Sequence, residues 1–130
     1  MSSRGIQFLD LEAQRKRLGG SVESAISEVL LHDRYVMGPE VGELEARIAE
    51  LCGVKHCVSC GNGTDALQIS LMALGIGRGD AIFVPSFTFT ATAEAVVLVG
   101  ATPVFVDIQE DTFNIDPSSL EEAIVSTTGL

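Results

Sequence analysis

The residues whose types and spacing could hold an anion lie in one run, Ser-Cys-Gly-Asn-Gly-Thr-Asp-Ala-Leu-Gln-Ile-Ser-Leu-Met-Ala-Leu (59 to 74). Gly61 and Gly63 allow backbone angles that a β-carbon forbids, and Leu67, Leu71 and Leu74 recur at helical spacing. The run therefore reads as the end of a strand, a glycine turn and a helix from Thr64 to Leu74. The first N–H groups of a helix have no partner inside it, and the macrodipole adds partial positive charge, so a phosphate group is the natural ligand there. Thr64 adds a hydroxyl to that cradle. The plainer alternative is a tight connection in which Asn62 or Thr64 only caps the helix.

A second stretch of chemical interest is Pro-Ser-Phe-Thr-Phe-Thr-Ala-Thr-Ala-Glu (85 to 94), which gathers two aromatic rings and four hydroxyls. It follows a strand, and ligands of α/β sheets bind outside the carboxyl ends of strands. A flat ring there could stack on a planar cofactor. The alternative makes Phe87 and Phe89 core aromatics and Thr88 a helix cap.

Other patterns carry less. Gly61-x-Gly63-x-x-Ala66 satisfies the dinucleotide fingerprint, but the next strand ends in Val84-Pro85-Ser86 where the ribose-binding acid should stand, and Asp80 is at the wrong end. Cys52, His56, Cys57 and Cys60 fall within nine residues. In a strand Cys57 and Cys60 point to opposite faces, so small core cysteines are expected rather than a metal or redox site. Asp107 ends a strand and, as a buried carboxylate, would need partners. Asp111, Asn114 and Asp116 lack the glycine and glutamate of a calcium loop and read as a loop with a cap. Glu40, Glu43, Glu45 and Glu50 read as a solvated helix face.

The elements that must position these residues come in two kinds. Residues 1–53 form a helical arm: an apolar entry at Ile6–Leu11, then a helix whose stripe is Leu18, Val22, Ala25, Ile26, Val29 and Leu30, weakened by Gly19 and Gly20. After the extended segment Arg34 to Glu40, Val41, Leu44, Ile48, Leu51 and Cys52 make a second stripe closed by Gly53. From Val54 strands and helices alternate: strand Val54–Cys60, helix Thr64–Leu74, strand Ala81–Val84, helix near Thr88–Val99, strand Thr102–Asp107, and a helix capped by Asp116 and Pro117 and running to about Ser126. Alternation implies parallel pairing and right-handed crossovers, hence a three-layer α/β sheet, mostly parallel. Three parallel strands do not finish such a sheet, so residues 54–130 read as the first β/α units of a larger domain.

The 130 residues are 46% hydrophobic and carry a formal net charge of −10. That charge disfavours nucleic acid and anionic membrane surfaces. The apolar excess suggests surface to be covered by another chain or by further sequence. Three cysteines give no disulfide framework, and no basic, apolar and small-residue leader opens the chain. A cytoplasmic protein is expected.

Five ordered blocks carry a resemblance: Ile-Gln-Phe-Leu-Asp-Leu (6 to 11), Tyr-Val-Met-Gly-Pro-Glu-Val (35 to 41), Cys-Gly-Asn-Gly-Thr-Asp-Ala-Leu (60 to 67), Pro-Ser-Phe-Thr-Phe-Thr-Ala-Thr-Ala (85 to 93) and Gly-Ala-Thr-Pro-Val-Phe-Val-Asp (100 to 107). In order and spacing the chain resembles the N-terminal part of the DegT/DnrJ/StrS sugar aminotransferases. The resemblance implies the aspartate aminotransferase fold type (fold type I) and pyridoxal phosphate as cofactor. It implies transfer of an amino group, usually from glutamate, to a nucleotide-linked keto sugar, for cell-surface polysaccharide or secondary-metabolite sugars, by a homodimer with shared active sites.

Residue by residue, the resemblance implies that Gly63, Thr64 and Asp65 hold the cofactor phosphate, that Phe89 stacks on the pyridine ring, and that the loop with Tyr35, Gly38 and Pro39 lies near the sugar nucleotide. In such enzymes the Schiff-base lysine and the aspartate facing the pyridine nitrogen come later than residue 130, and Lys16 and Lys55 match neither. A truncated form inactive by itself is therefore expected. A noncatalytic phosphate- or nucleotide-binding α/β module is the alternative.

Overall fold

A computed structural model describes residues 8–127 of the chain. The expected entry at Ile6–Leu11 lies partly, and the ending Thr128–Leu130 wholly, outside the described residues. Contacts divide the chain into two compact units, Met1–Ser59 and Cys60–Leu130.

The first unit is helical. Asp10 accepts from the Ala13 N–H at 2.9 Å and caps α1, Leu11–Leu18. The single helix expected after the Ile6–Leu11 entry is in fact two, because Gly19 takes φ 62° and ψ −145°, which no helix contains, and α2 restarts at Ser21 and runs to His32. An Arg15–Glu23 ion pair at 2.5 Å spans the break. The stripe of α2 is present but uncovered, with Val22, Ile26 and Leu30 exposed by 40%, 55% and 60%. Pro39 opens α3, Pro39–Cys52, at the position where its missing N–H costs nothing, and Gly53 closes it at φ 65°. The Val54 N–H returns to the Ala49 carbonyl at 3.0 Å, the usual companion of a left-handed glycine cap.

Residues 54–60 are not the strand that their β-prone composition predicts. A strand exists through its ladder, and the one ladder among the described residues joins two later strands. Among the described residues segment 54–60 pairs with no strand. It is tied instead through Ser59, whose N–H and Oγ both donate to Glu45 Oε1 at 2.8 Å.

The second unit is α/β. Its elements are α4 (Gly63–Ala73), β1 (Ala81–Pro85), α5 (Ala91–Leu98), β2 (Thr102–Val106) and α6 (Pro117–Thr127). β1 and β2 pair in parallel, Ala81 opposite Thr102 through Pro85 opposite Val106, with α5 as the crossover. Helix α4 packs on α5, whereas α6 touches both strands and neither of those helices, which puts it on the other face and makes three layers. Val84, Val96 and Ala101 form the core, with Leu71, Ile76, Ile82 and Val99 against it. Between α4, β1 and α5 an apolar cleft of about 220 Å³ stays open, lined by Leu67, Ile82, Val84, Thr92 and Val96 among others. An eleven-residue helix and a five-residue strand both span about 16 Å. Joined by the short turn 74–80, α4 runs back toward the start of its own unit, and Leu67, near its N-terminus, lines the same cleft as Pro85 at the carboxyl end of β1 and Thr92 of α5, which turns the N-terminal half of α4 toward that edge of the sheet.

Candidate functional site

That edge gathers the two stretches singled out above. Asn62, extended at φ −165°, caps α4: its Oδ1 accepts from the Asp65 N–H at 2.9 Å, and its Nδ2 donates to Asp65 Oδ2 at 3.0 Å. The next intrahelical donor, Ala66 N–H, reaches the Asn62 carbonyl at 3.1 Å. This leaves the N–H groups of Gly63 and Thr64 as the free donors of the first turn. A β-carbon on Gly63 would meet nothing within 4 Å, so the space beside Gly63 is open, while one on Gly61 would come within 2.8 Å of Asp65 Oδ2. Gly61 thus keeps room for the carboxylate that braces the cap. Two aligned N–H donors, a threonine hydroxyl and open space fit a phosphate monoester. The capping role of Asn62 and this cradle are compatible, because they use different donors.

Phe89 lies in the same loop region with 78% of its surface exposed. Phe87 is a correction to the core reading: it is 66% exposed, and its ring meets Phe113 from the β2–α6 loop at 5.4 Å between centroids, tilted by 37°. Strand alternation does not extend to it, because β1 ends at Pro85 and the last ladder bond runs from the Ser86 N–H to the Val106 carbonyl at 2.8 Å. Thr90 holds the N-cap position of α5 without a side-chain cap bond, and Thr88 bonds Thr92, Oγ1 to Oγ1 at 2.9 Å.

Asp107 is likewise corrected. It is exposed, and its Oδ1 accepts from the Ile108 N–H at 2.8 Å. Its carbonyl receives the Asp116 N–H at 2.9 Å, closing the loop before α6. Asp116 caps α6, and the Ser119 hydroxyl and N–H that donate to it hold its carboxyl below the ordinary value.

Tyr35, Gly38 and Pro39 belong to the first unit, the first two in the connection between α2 and α3 and Pro39 at the start of α3. The Tyr35 hydroxyl donates to Asp33 Oδ1 at 2.7 Å, and this bond holds the phenol pKa above its ordinary value. Gly38 is buried, and a β-carbon there would strike the Arg34 carbonyl oxygen and come within 2.9 Å of Glu40 Oε2. Pro39 supplies the first residue of α3. Glu40 and Glu45 are more than a solvated face. Glu40 is held below its ordinary pKa by its own backbone N–H and by His32, and Glu45 by the N–H and hydroxyl of Ser59. The work of Glu45 and His32, and the Phe87–Phe113 contact, went unread in the sequence. Each joins residues eight or more apart, which no local spacing announces.

Residues 17–130 match the DegT/DnrJ/EryC1/StrS aminotransferase family. The chain belongs to this family. It is 53% identical over 123 residues to the UDP-2-acetamido-2-deoxy-3-oxo-D-glucuronate aminotransferase of Pseudomonas aeruginosa, which covers 95% of the chain and 34% of that relative. It is 44% identical over 132 residues to the dTDP-3-amino-3,4,6-trideoxy-alpha-D-glucose transaminase of Streptomyces venezuelae, covering 98% of the chain and 35% of the relative. Among solved structures, a family aminotransferase from Brucella abortus superposes with a TM-score of 0.90 at 54% identity, over 95% of this chain and 33% of that one. NtdA from Bacillus subtilis, with bound cofactor PMP, gives 0.85 at 31% identity, over 95% and 28%. The chain thus spans about a third of the length of these relatives, and its fold is that of the corresponding part of a fold type I aminotransferase. Among the described residues no helix is long and apolar enough to cross a membrane.

Proposed function

We propose that this chain serves a sugar-nucleotide aminotransferase dependent on pyridoxal phosphate, to which it contributes the phosphate cradle and an aromatic platform. Glutamate would give up its amino group and leave as 2-oxoglutarate, and the keto carbon of a nucleotide-linked sugar would receive it. The observation that carries this reading is the open first turn of α4 at the carboxyl edge of the sheet, with two N–H donors unspent after Asn62 has capped the helix.

Pyridoxal phosphate, when bound, supplies the electron sink that lets an amino group exchange between carbons. The residues of this chain bind and orient. The N–H groups of Gly63 and Thr64 and the Thr64 hydroxyl hold the phosphate, Asp65 braces the cap through Asn62, and Phe89 offers its exposed ring to the pyridine face. Tyr35, Gly38 and Pro39 form the loop assigned to the sugar nucleotide. The apolar surface left open is assigned to a second subunit of a homodimer working in the cytoplasm.

The test joins residues 1–130 to the remaining two thirds of the Pseudomonas relative and assays the chimera for cofactor uptake by absorbance and for amino sugar formation. Activity that Thr64→Val reduces about ten-fold supports the reading, since one hydrogen bond to a charged phosphate is lost. A folded chimera that takes up no cofactor overturns it. Binding of inorganic phosphate by the chain in that case would favour a noncatalytic phosphate-binding module.

A further inference from the structure

One imidazole holds both ends of the loop between α2 and α3. His32 Nδ1 accepts from the Arg34 N–H at 3.0 Å, and His32 Nε2 lies 2.8 Å from Glu40 Oε1. A ring nitrogen that accepts a backbone N–H carries no proton, so the neutral ring keeps its one proton on Nε2 and donates it to Glu40. The last residue of α2 is thereby tied to the start of the loop and to the first turn of α3.

The loop needs such a tie. Asp33 and Met37 hold φ of 56° and 51°, a region that residues other than glycine occupy at a cost and keep only when surrounding bonds over-determine them. The tight approach of Gly38 to the Arg34 carbonyl and the Glu40 carboxylate shows the same loop drawn closed from its other end. Tyr35 stands inside it, 60% exposed, with its hydroxyl directed by Asp33.

We propose that His32 is a positioning residue which, through a fixed Nε2–H tautomer, holds the Asp33–Gly38 loop in the shape that presents Tyr35 to the sugar nucleotide. The proposal rests on the aminotransferase reading for the identity of that ligand. The ring meets the Glu40 carboxylate from α3 and the Arg34 backbone N–H from the loop, while Tyr35 and Asp33 bond each other.

Two variants separate this role from simple packing. His32→Leu keeps much of the volume and removes both bonds. His32→Asn restores a side-chain oxygen two residues before the Arg34 N–H, the arrangement of an Asx turn, and gives up Glu40. Hydrogen exchange at the Arg34 amide, measured in the full chain and in the chimera, should be about five-fold faster in His32→Leu and within about two-fold of the parent in His32→Asn. In the chimera, KM for the nucleotide sugar should rise about five-fold in His32→Leu and return in His32→Asn, with the glutamate half-reaction unchanged in both. Equal Arg34 exchange in parent and His32→Leu overturns the clamp, whatever the chimera does. A loss shared equally by the glutamate half-reaction, or one that asparagine does not rescue, overturns the positioning role. A folded chimera inert toward glutamate as well as sugar overturns the aminotransferase reading, and the substrate assigned to this loop with it.

Discussion

Phe89 is 78% exposed and makes no ring contact among the described residues. Its loss should therefore cost the fold little. In the chimera, Phe89→Ala should weaken cofactor retention about ten-fold, the size of one stacked ring, and change stability by less than about 0.5 kcal/mol. Phe87→Ala should do the reverse on a small scale: it gives up the contact with Phe113, about 1 kcal/mol, and leaves cofactor retention intact. Absorbance titration beside thermal unfolding separates them, and loss of cofactor from Phe87→Ala alone would move the stacking role to the Phe87 ring. Gly38 makes a different residue-scale claim. A single methyl group there meets a backbone carbonyl that cannot step aside, so Gly38→Ala should destabilise the first unit by about 1–3 kcal/mol, read by denaturant unfolding. An unchanged midpoint would mean that the loop opens freely. That Gly38 precedes a proline is legible in the sequence; that Arg34 folds back onto it is not.

At the scale of elements, the signals that could be read were those a helix end carries in its own residues. Asn62, Gly53 and Asp116 stand where cap chemistry puts them, because a cap needs only partners two to five residues away. Segment 54–60 misled for the opposite reason: β-prone residues become a strand only beside another strand. The parallel pair β1–β2 was legible because a helical crossover separates two apolar runs of equal length. The Gly19–Gly20 pair was visible as a weakness, but its positive φ, which splits α1 from α2, was not.

Cap and tie share a pH dependence. Asp116 and Glu45 both have folded-state pKa values held down by their donors, so each contributes stability that is present above its unfolded pKa and lost as pH falls through the folded one. Stability should thus decline on acidification below the ordinary carboxylate range, and Asp116→Asn with Glu45→Gln, which keep acceptor oxygens, should flatten that decline. Thermal melts across this range check it. Parallel curves for parent and double variant would show that other carboxylates govern the acid limb.

At the scale of the whole chain, the buried hydrophobic residues among those described are Ala49, Val84, Ala91, Ala95, Val96, Ala101 and Val106, none larger than valine. The larger apolar side chains stay in contact with water: Leu31, Leu51, Leu74 and Phe89 are each more than 70% exposed. A core of this kind offsets chain entropy poorly, and the cleft beside β1 adds contacts not made. The chain alone should bind a hydrophobic dye, unfold over a broad temperature range and sediment with a concentration dependence. One sharp, cooperative transition of a monomer would count against this. The excess of apolar residues was legible from composition. Which of them would be left uncovered was not, since that depends on surfaces that no periodicity specifies.

The tilted contact between Phe87 and Phe113 has an optical consequence. It bridges the loop after β1 and the loop after β2, at the edge where the phosphate cradle stands, and the chain has no tryptophan and one tyrosine. An indole placed by Phe87→Trp would be the sole tryptophan emitter in the chain, in contact with both loops. Its emission would report, without any label, when a ligand settles at the rim and whether the two loops close on it together or one after the other.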